Sequence, residues 1–453
     1  MQVEHHTIDY IPETERHGNV MNLFAIWFSA NAQITTIVTG ALAVVLGLNL
    51  MWSIVAIIVG NAIGGIFMAY HSAQGPKLGI PQMIQSRAQF GVVGAVLPLI
   101  LVIIMYLGFF STSAVLGAQA LSAALQLPQN VSLIIVNIVA LVLVVYGYDI
   151  IHHFERIASI LFLILFLYLS IRIAQQPSPP HVTQSHFAWG TFLLVLSIMA
   201  SWQLTYAPYV ADYSRYLPQD TSMKLSFWYT YLGSVSGSIW MMILGAYITF
   251  VAPKQSTNIV QYLGQLSGPH LNVLTYLLIM CGVLAINTLN VYGGFMSVVT
   301  TVTAIRPWRP TVRTRIVGTL LFAAVGTGIA IWGQGNFLDN YSKFLTLLLY
   351  FLTPWTAINL VDFYLLRHGT YVVQDIFNPD GRYGRINWIA ITAYIVSILV
   401  QFPFMNTQIY TGFISKAMGG ADIAWIVGLV VAALLYYVPM KKRLHQQLIS
   451  QQT

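Results

Sequence analysis

The charged residues of this chain fall in clusters, and between the clusters lie uncharged apolar runs of about 20 residues, the length that crosses a hydrocarbon core. Of 453 residues, 57% are hydrophobic and only 7% are charged, where an average soluble domain carries roughly 25% charged residues. No soluble surface can be built from that supply. The runs are therefore read as membrane spans and the clusters as the loops between them, and the regular ladder points to one polytopic domain rather than two or three soluble ones.

The runs fall at about 22–47, 50–70, 93–123, 130–148, 157–175, 188–211, 226–252, 271–303, 316–335, 344–366, 387–404 and 422–440, which makes twelve spans. An even number places both termini on one side. With the termini cytoplasmic, the inward segments hold sixteen Lys and Arg, from Arg16 and Lys77 to Lys442 and Arg443, and the outward segments hold only Arg172, Lys254, Lys343 and Lys416. That bias obeys the positive-inside rule, and losing one central span would destroy it. The expected location is the plasma or inner membrane. The first 20 residues, with Glu4, Asp9, Glu13, Glu15 and Arg16, read as a cytoplasmic arm rather than a targeting segment. A net charge of +7 accordingly reflects loop placement and implies no nucleic-acid partner. The single cysteine, Cys281, excludes disulfides within the chain and metal sites built on several thiolates.

Gly60 and Gly64, and again Gly233 and Gly237, lie one helical turn apart within spans and read as close-packing points between helices. Trp52, Trp189, Trp240 and Trp425 are expected near span ends, where indoles sit between lipid and water.

A polar side chain inside a span needs a reason, because an unpaired amide in hydrocarbon costs several kcal/mol. Span 1 carries Ser29, Asn31, Gln33, Thr35 and Thr36; span 3 carries Ser111, Thr112 and Ser113 beside Phe109 and Phe110. Span 6 carries Ser201, Trp202, Gln203 and Thr205 before Pro208, which lacks an N–H for the helix ladder, and span 8 carries Asn287, Thr288 and Asn290. Spans 1 and 6, and 3 and 8, are pairs offset by five. Two inverted five-span repeats would produce that offset, with spans 1 and 6 as broken helices around a midplane site and spans 11 and 12 outside the repeat. The same groups could instead glue helices together.

All thirteen carboxylates lie in termini, in loops or near span ends, with Asp149, Asp212 and Asp362 closest to the membrane, and no Lys or Arg lies mid-span. The ligand of such a site is expected to be neutral. Asn and Gln offer a donor and an acceptor on one plane, matching the N–H and C=O edge of a lactam or nucleobase, and aromatic faces stack on flat rings. A planar heterocycle fits better than a sugar. The expected enzyme signature, a nucleophile with its base or a metal cluster, is missing from the mid-membrane inventory. A channel would need a continuous polar path in place of one polar layer.

The chain resembles the purine and cytosine permeases of the nucleobase cation symporter family over nearly its whole length. The resemblance is carried by Ile11-Pro12-Glu13-Thr14-Glu15-Arg16 leading into Leu23-Phe24-Ala25-Ile26-Trp27-Phe28-Ser29-Ala30-Asn31, by Gly79-Ile80-Pro81-Gln82-Met83-Ile84-Gln85-Ser86-Arg87-Ala88-Gln89-Phe90-Gly91, and by Ala207-Pro208-Tyr209-Val210-Ala211-Asp212-Tyr213-Ser214-Arg215-Tyr216. It implies an all-α polytopic membrane protein of twelve transmembrane helices, a LeuT-like five-plus-five inverted-repeat core over 22–366, two extra helices within 367–440 and a cytoplasmic tail over 441–453. It also implies a substrate pocket between spans 1, 3, 6 and 8 and uptake coupled to Na+ or H+, with no cofactor. By position the substrate contacts fall on Asn31, Gln33, Phe109, Ser113, Ser201, Trp202, Gln203, Asn287 and Asn290. Relatives often have Trp at the position of Phe109, and Asn or Gln at that of Ser113. The family's sodium site falls near Ala30, Gln33, Ala285 and Thr288. The function the resemblance implies is secondary active import of a neutral nucleobase or related heterocycle, a purine or cytosine, coupled to that cation, with hydantoin- or allantoin-type rings as the alternative; the oligomeric state is left open. Asp212 and Arg215, three apart, are expected to pair and hold the end of span 6, and His152 and His153 beside Asp149, Glu155 and Arg156 read as a solvated loop.

Overall fold

The computed structural model describes residues 9–146, 148–177, 187–306, 308, 311–407 and 409–452, without the side chains of 146, 148–159 and 448–452. Helices occupy most of the described chain, and each apolar run is a helix or a broken helix. The first run splits into α1 (Asn22–Asn31) and α2 (Ile34–Val45), bent by 59°. Then come α3 (Leu50–Ser72), the one-turn α4 (Gly75–Leu78), α5 (Gln82–Phe90), α6 (Val96–Leu125), α7 (Gln129–Tyr146) and α8 (Tyr148–Ala174). The second half opens with α9 (Trp189–Leu204) and the short α10 (Val210–Ser214), followed by α11 (Met223–Val251), α12 (Ile259–Ser267), α13 (Asn272–Ile305) and α14 (Val312–Gly333). Next, α15 (Phe337–Leu360) ends in a π turn over Val361–Leu366, and α16 (Val373–Ile376), α17 (Trp388–Gln401), α18 (Phe413–Ala417) and α19 (Ala424–Gln452) close the chain.

Six helical stretches among the described residues are long and apolar enough to cross a bilayer, and α1 with α2 makes a seventh when counted as one bent span. The apolar helices 129–145, 160–174, 189–204 and 388–404 are shorter. Large apolar side chains stay exposed on the outward faces of α7, α8 and α14, among them Ile138, Ile164 and Leu321. Such faces are satisfied by lipid rather than water.

The packing repeats itself. Helix α3 lies on α9, and α11 lies on α1; α6 packs on α13; α6 meets α14 as α7 meets α13. Exchanging the first five spans for the second five maps each pairing onto another, as a two-fold between inverted repeats requires. The glycine pairs mark the same symmetry. A Cβ on Gly60 or Gly64 would stand 2.7 Å from the Leu196 carbonyl oxygen or 2.5 Å from that of Ala200, both on α9. One on Gly233 or Gly237 would run into the Phe24 or Phe28 carbonyl oxygen on α1. Only a residue without a side chain allows these backbones to touch. Even the connections correspond, since α5 lies between the second and third runs and α12 between the seventh and eighth.

The tryptophans depart in part from expectation. Trp189 is exposed at the start of α9 and Trp52 lies near the start of α3. Trp240, however, sits mid-helix in α11, stacked on Phe28 at 5.9 Å and donating to Ser170 Oγ at 3.2 Å, and Trp425 is buried. Trp240 is half-buried against the core, and Trp425, at the start of α19 as expected, is buried by protein neighbours that its position in the sequence does not reveal.

Candidate functional site

The two helix breaks meet in the middle of the bundle. The first contains neither Gly nor Pro. Gln33 is extended (φ −144°, ψ 162°), and its side chain holds the break open: Nε2 donates to the Ala30 carbonyl at 2.7 Å while Oε1 accepts from Thr35 Oγ1 at 2.7 Å. The second break precedes and includes Pro208. There the Tyr206 N–H turns to the Gln203 carbonyl at 3.2 Å, and the carbonyl of Trp202 accepts instead from Thr205 Oγ1 at 2.6 Å. Side chains thus replace the backbone partners that broken helices lose in an apolar medium.

Between the breaks is a cavity. Gln33 and Thr35 line it from the α1–α2 break, Phe109 and Ser113 from α6, Trp202, Thr205, Tyr206 and Tyr209 from the α9–α10 break, and Ile286 and Asn290 from α13. No charged residue is among them. Phe109 and Trp202 stand edge to face at 6.0 Å and 83°, Phe109 meets Phe344 at 5.2 Å, and Tyr206 leans on Trp202 at 5.7 Å and 90°. Behind the lining, Tyr209 meets Tyr106 at 5.7 Å and Trp27 at 6.4 Å.

Five of the nine positions assigned to substrate by resemblance line this cavity: Gln33, Phe109, Ser113, Trp202 and Asn290. The other four serve the packing around it. Asn31 is fully buried, and its Oδ1 accepts from Trp202 Nε1 at 2.7 Å, Ser238 Oγ at 2.6 Å and Tyr206 Oη at 3.2 Å; its Nδ2 donates to the Trp27 carbonyl at 2.8 Å. Gln203 joins three helices through Asn61 at 3.0 Å, Ser238 at 2.9 Å and Ser234 at 2.7 Å. Ser201 donates to the Leu345 carbonyl at 2.5 Å. Asn287 is buried and its Oδ1 accepts from Asn290 Nδ2 at 3.4 Å.

Subtracting these internal bonds leaves a short inventory for a ligand. The hydroxyls of Ser113 and Tyr209 and the carbonyl of Asn290 face the cavity with no partner among the described residues. Tyr206 and Tyr209 are the lining residues that reading for amides and mid-span hydroxyls overlooks; tyrosines at a helix end look like interfacial residues until the break places them inward. Of the positions assigned to a cation, the Ala30 carbonyl accepts from Gln33, Thr288 Oγ1 donates to the Leu284 carbonyl at 2.8 Å, and Ala285 is half-buried. The described residues contain no His, Cys, Asp and Glu cluster that would hold a metal.

The stretches that carry the resemblance tie the N-terminal arm, α4, α5, α10 and α13 to one another. Arg16 donates to the Ile11 carbonyl at 3.0 Å and to that of Pro76 at 2.7 Å, tying the N-terminal arm to α4. Asp212 Oδ1 accepts the first N–H of α5, from Gln82, at 2.7 Å. Arg87, buried on α5, donates to the Thr300 carbonyl at 3.2 Å and Thr303 Oγ1 at 3.3 Å on α13; burial lowers its pKa to about 10. Arg215 donates to the Asp9 carbonyl at 3.4 Å. The side chains of Asp149, His152, His153, Glu155 and Arg156 lie outside the described residues.

Residues 10–428 match the sequence pattern of a family described as permeases for cytosine and purines, uracil, thiamine and allantoin. The chain belongs to this family of permeases. It is 48% identical over 448 residues to YxlA of Bacillus subtilis (strain 168), assigned as a purine-cytosine permease, covering 99% of this chain and 98% of that one. It is 27% identical to the purine-cytosine permease fcyB of Emericella nidulans, covering 96% and 88%. Among solved structures, the inward-facing conformation of Mhp1 superposes with a TM-score of 0.78 at 20% identity, covering 99% of this chain and 95% of that one. Mhp1 in a closed conformation with bromovinylhydantoin bound, described as a nucleobase-cation-symport-1 family transporter, gives 0.76 at 19%, covering 97% and 95%. The permease therefore has the LeuT-like fold of that transporter.

Proposed function

We propose that this permease is a secondary active transporter, not an enzyme, that imports a neutral nucleobase such as a purine or cytosine together with a cation. One observation carries the reading: uncharged hydrogen-bonding groups of Asn290, Ser113 and Tyr209 face a shared cavity walled by Phe109 and Trp202, at the meeting of two broken helices. Asn290 offers a carbonyl to a ring N–H, and each hydroxyl can give or take one hydrogen bond. The aromatic faces supply stacking worth roughly 1–3 kcal/mol. Hydantoin and allantoin present the same N–H and C=O edges, and the hydantoin bound to the structural relative supports them as the second reading.

In this reading both termini are cytoplasmic and twelve spans cross the plasma or inner membrane, ten of them in the core over 22–366 and two within 367–440. Sodium would sit against neutral oxygens near Ala30, Gln33, Ala285 and Thr288; a proton is the other coupling ion. Cells expressing the chain should accumulate a labelled base, and unlabelled purines, pyrimidines, hydantoins and allantoin, tested with and without sodium, should rank substrate and ion. Asn290→Ala and Trp202→Ala should abolish uptake while the protein stays in the membrane. Normal uptake in both would remove this site.

A further inference from the structure

Away from the cavity, the polar end of α19 carries charges that the protein leaves unpaired. Elsewhere the protein takes up its cations: Lys77, Arg87 and Arg215 donate to backbone carbonyls, and Arg367 and Arg382 pair with Asp362 and Asp375. Lys441 and Lys442 differ. Both are exposed, and neither pairs with a carboxylate among the described residues. Lys441 Nζ lies over the Tyr437 ring at 5.4 Å. No Asp or Glu follows Asp422 in the chain, and Asp422 stands at the far end of α19, buried and bonded to Tyr350.

The two lysines continue an apolar stripe. Leu434, Val438, Lys441 and Lys442 follow at helical spacing and share one side of α19. Leu434 and Val438 are 58% and 49% exposed, so bare apolar side chains give way to bare ammonium groups along one face. The opposite side of the helix is held by protein. Arg443 donates to Asn387 Oδ1 at 3.4 Å, and Met440 Sδ accepts from Asn387 Nδ2 at 3.6 Å. That amide also donates to the Gln89 carbonyl on α5 at 2.7 Å, so the back of α19 is tied to the start of α17 and to α5.

We propose that this stripe is a docking surface for an anionic phospholipid, whose headgroup phosphate meets Lys441 and Lys442 while an acyl chain runs along Leu434 and Val438. Basic clusters where an apolar helix leaves the membrane attract anionic headgroups. A free phosphate would meet the ammonium groups and leave the apolar half bare. A zwitterionic lipid would cover the apolar half, but its own cation offsets its phosphate. Only an anionic lipid matches both halves of the stripe. Bound there, it presses on a helix whose other side is already fixed to α17 and α5, and so stabilises that junction.

The test is a thermal-shift titration of the full chain in an uncharged detergent, with phosphatidylglycerol, phosphatidylcholine or inorganic phosphate added and no substrate present. Phosphatidylglycerol should raise the melting temperature by several degrees more than either of the others. The double variant Lys441→Gln with Lys442→Gln should need several-fold more phosphatidylglycerol for half the effect, whereas Arg306→Gln with Arg313→Gln, which neutralises two exposed cations before and on α14, should respond as wild type does. If the double variant does not fold, Lys442→Gln alone decides. A response to phosphatidylcholine equal to that to phosphatidylglycerol would overturn the proposal, as would an unchanged response in the folded lysine variant. An equal loss in the arginine variant would mark a diffuse charge effect, and an equal shift with inorganic phosphate a phosphate site without lipid; either result also refutes it.

Discussion

Asn31 and Asn290 are the same residue type in the same kind of apolar surroundings, yet the structure gives them opposite duties. Asn31 Oδ1 is the acceptor for three buried donors, on Trp202, Ser238 and Tyr206. Asn31→Ala strands all three, at roughly 1–3 kcal/mol per orphaned group, so the variant should melt well below wild type in a thermal-shift assay on detergent-solubilised protein. Asn290 makes one long bond, to Asn287 at 3.4 Å. Asn290→Ala should therefore keep the melting temperature of the free protein and lose the rise that saturating substrate confers, which a bound ligand produces by mass action. Equal melting of the two variants without ligand would contradict this division. The sequence makes both legible as polar groups in a membrane, because burial in hydrocarbon demands a reason for each. It cannot sort ligand contact from glue, because the sorting depends on who stands opposite: Ser238 and Ser234 on α11 take up Asn31 and Gln203, and nothing among the described residues takes up the Asn290 carbonyl and the Ser113 hydroxyl. Tyr206 shows the reverse blindness, since only the break after Leu204 turns it inward.

At the level of elements, the long apolar helices and the break at Pro208 can be read directly, because hydrophobic length and a missing N–H are local properties. The break after Asn31, expected only from the pairing of span 1 with span 6, has a different local cause. No Gly or Pro announces it, and it persists through the Gln33 side chain bonding Ala30 and Thr35. Helices α5 and α12 escape a reading by hydropathy altogether; every residue of α5 from Gln82 to Phe90 is buried, yet five of the nine are Gln, Ser or Arg, so their surroundings are polar protein rather than lipid. The glycine pairs, by contrast, announce contacts correctly. Gly64→Leu would drive a side chain into the Ala200 backbone, with its Cβ already 2.5 Å from a carbonyl oxygen, and should abolish monodisperse protein in size-exclusion chromatography. Gly328, on α14, has open space where a methyl group would stand, with nothing within 4 Å; Gly328→Ala should leave the elution profile intact and raise stability by about 0.5–1 kcal/mol through the helix preference for Ala. A well-behaved Gly64→Leu protein would refute the α3–α9 contact.

Over the whole molecule, one carboxylate joins the end of α15 to α5, to α19 and to the segment before α16. Asp362, at 0% exposure in the π turn after α15, accepts from Tyr436 on α19 at 2.9 Å, from Tyr371 at 2.7 Å, from Gln89 on α5 at 3.3 Å and from Arg367 at 3.1 Å. Removing one partner of a buried pair strands the other, at about 3–5 kcal/mol. Asp362→Asn should thus destabilise the protein sharply, and the double variant Asp362→Asn with Arg367→Gln should melt above the single one; no recovery would mean that the ion pair is not what the aspartate supplies. The span order itself is open to a chemical test. Cys281, half-buried on α13, is the only native thiol, so Cys281→Ser gives a thiol-free background. Lys254 after α11 and Lys416 on α18 are exposed, as are Lys224 at the start of α11 and Arg382 before α17. If twelve spans cross with the termini inside, the first two lie outside the cell and the last two within it. Single cysteines at 254 and 416 should react in intact cells with a membrane-impermeant maleimide, and those at 224 and 382 only after permeabilisation. In chain order the positions 224, 254, 382 and 416 are separated by one, three and one of the twelve crossings read from the sequence, so a span lost or gained between any two of them would place at least one on the wrong side.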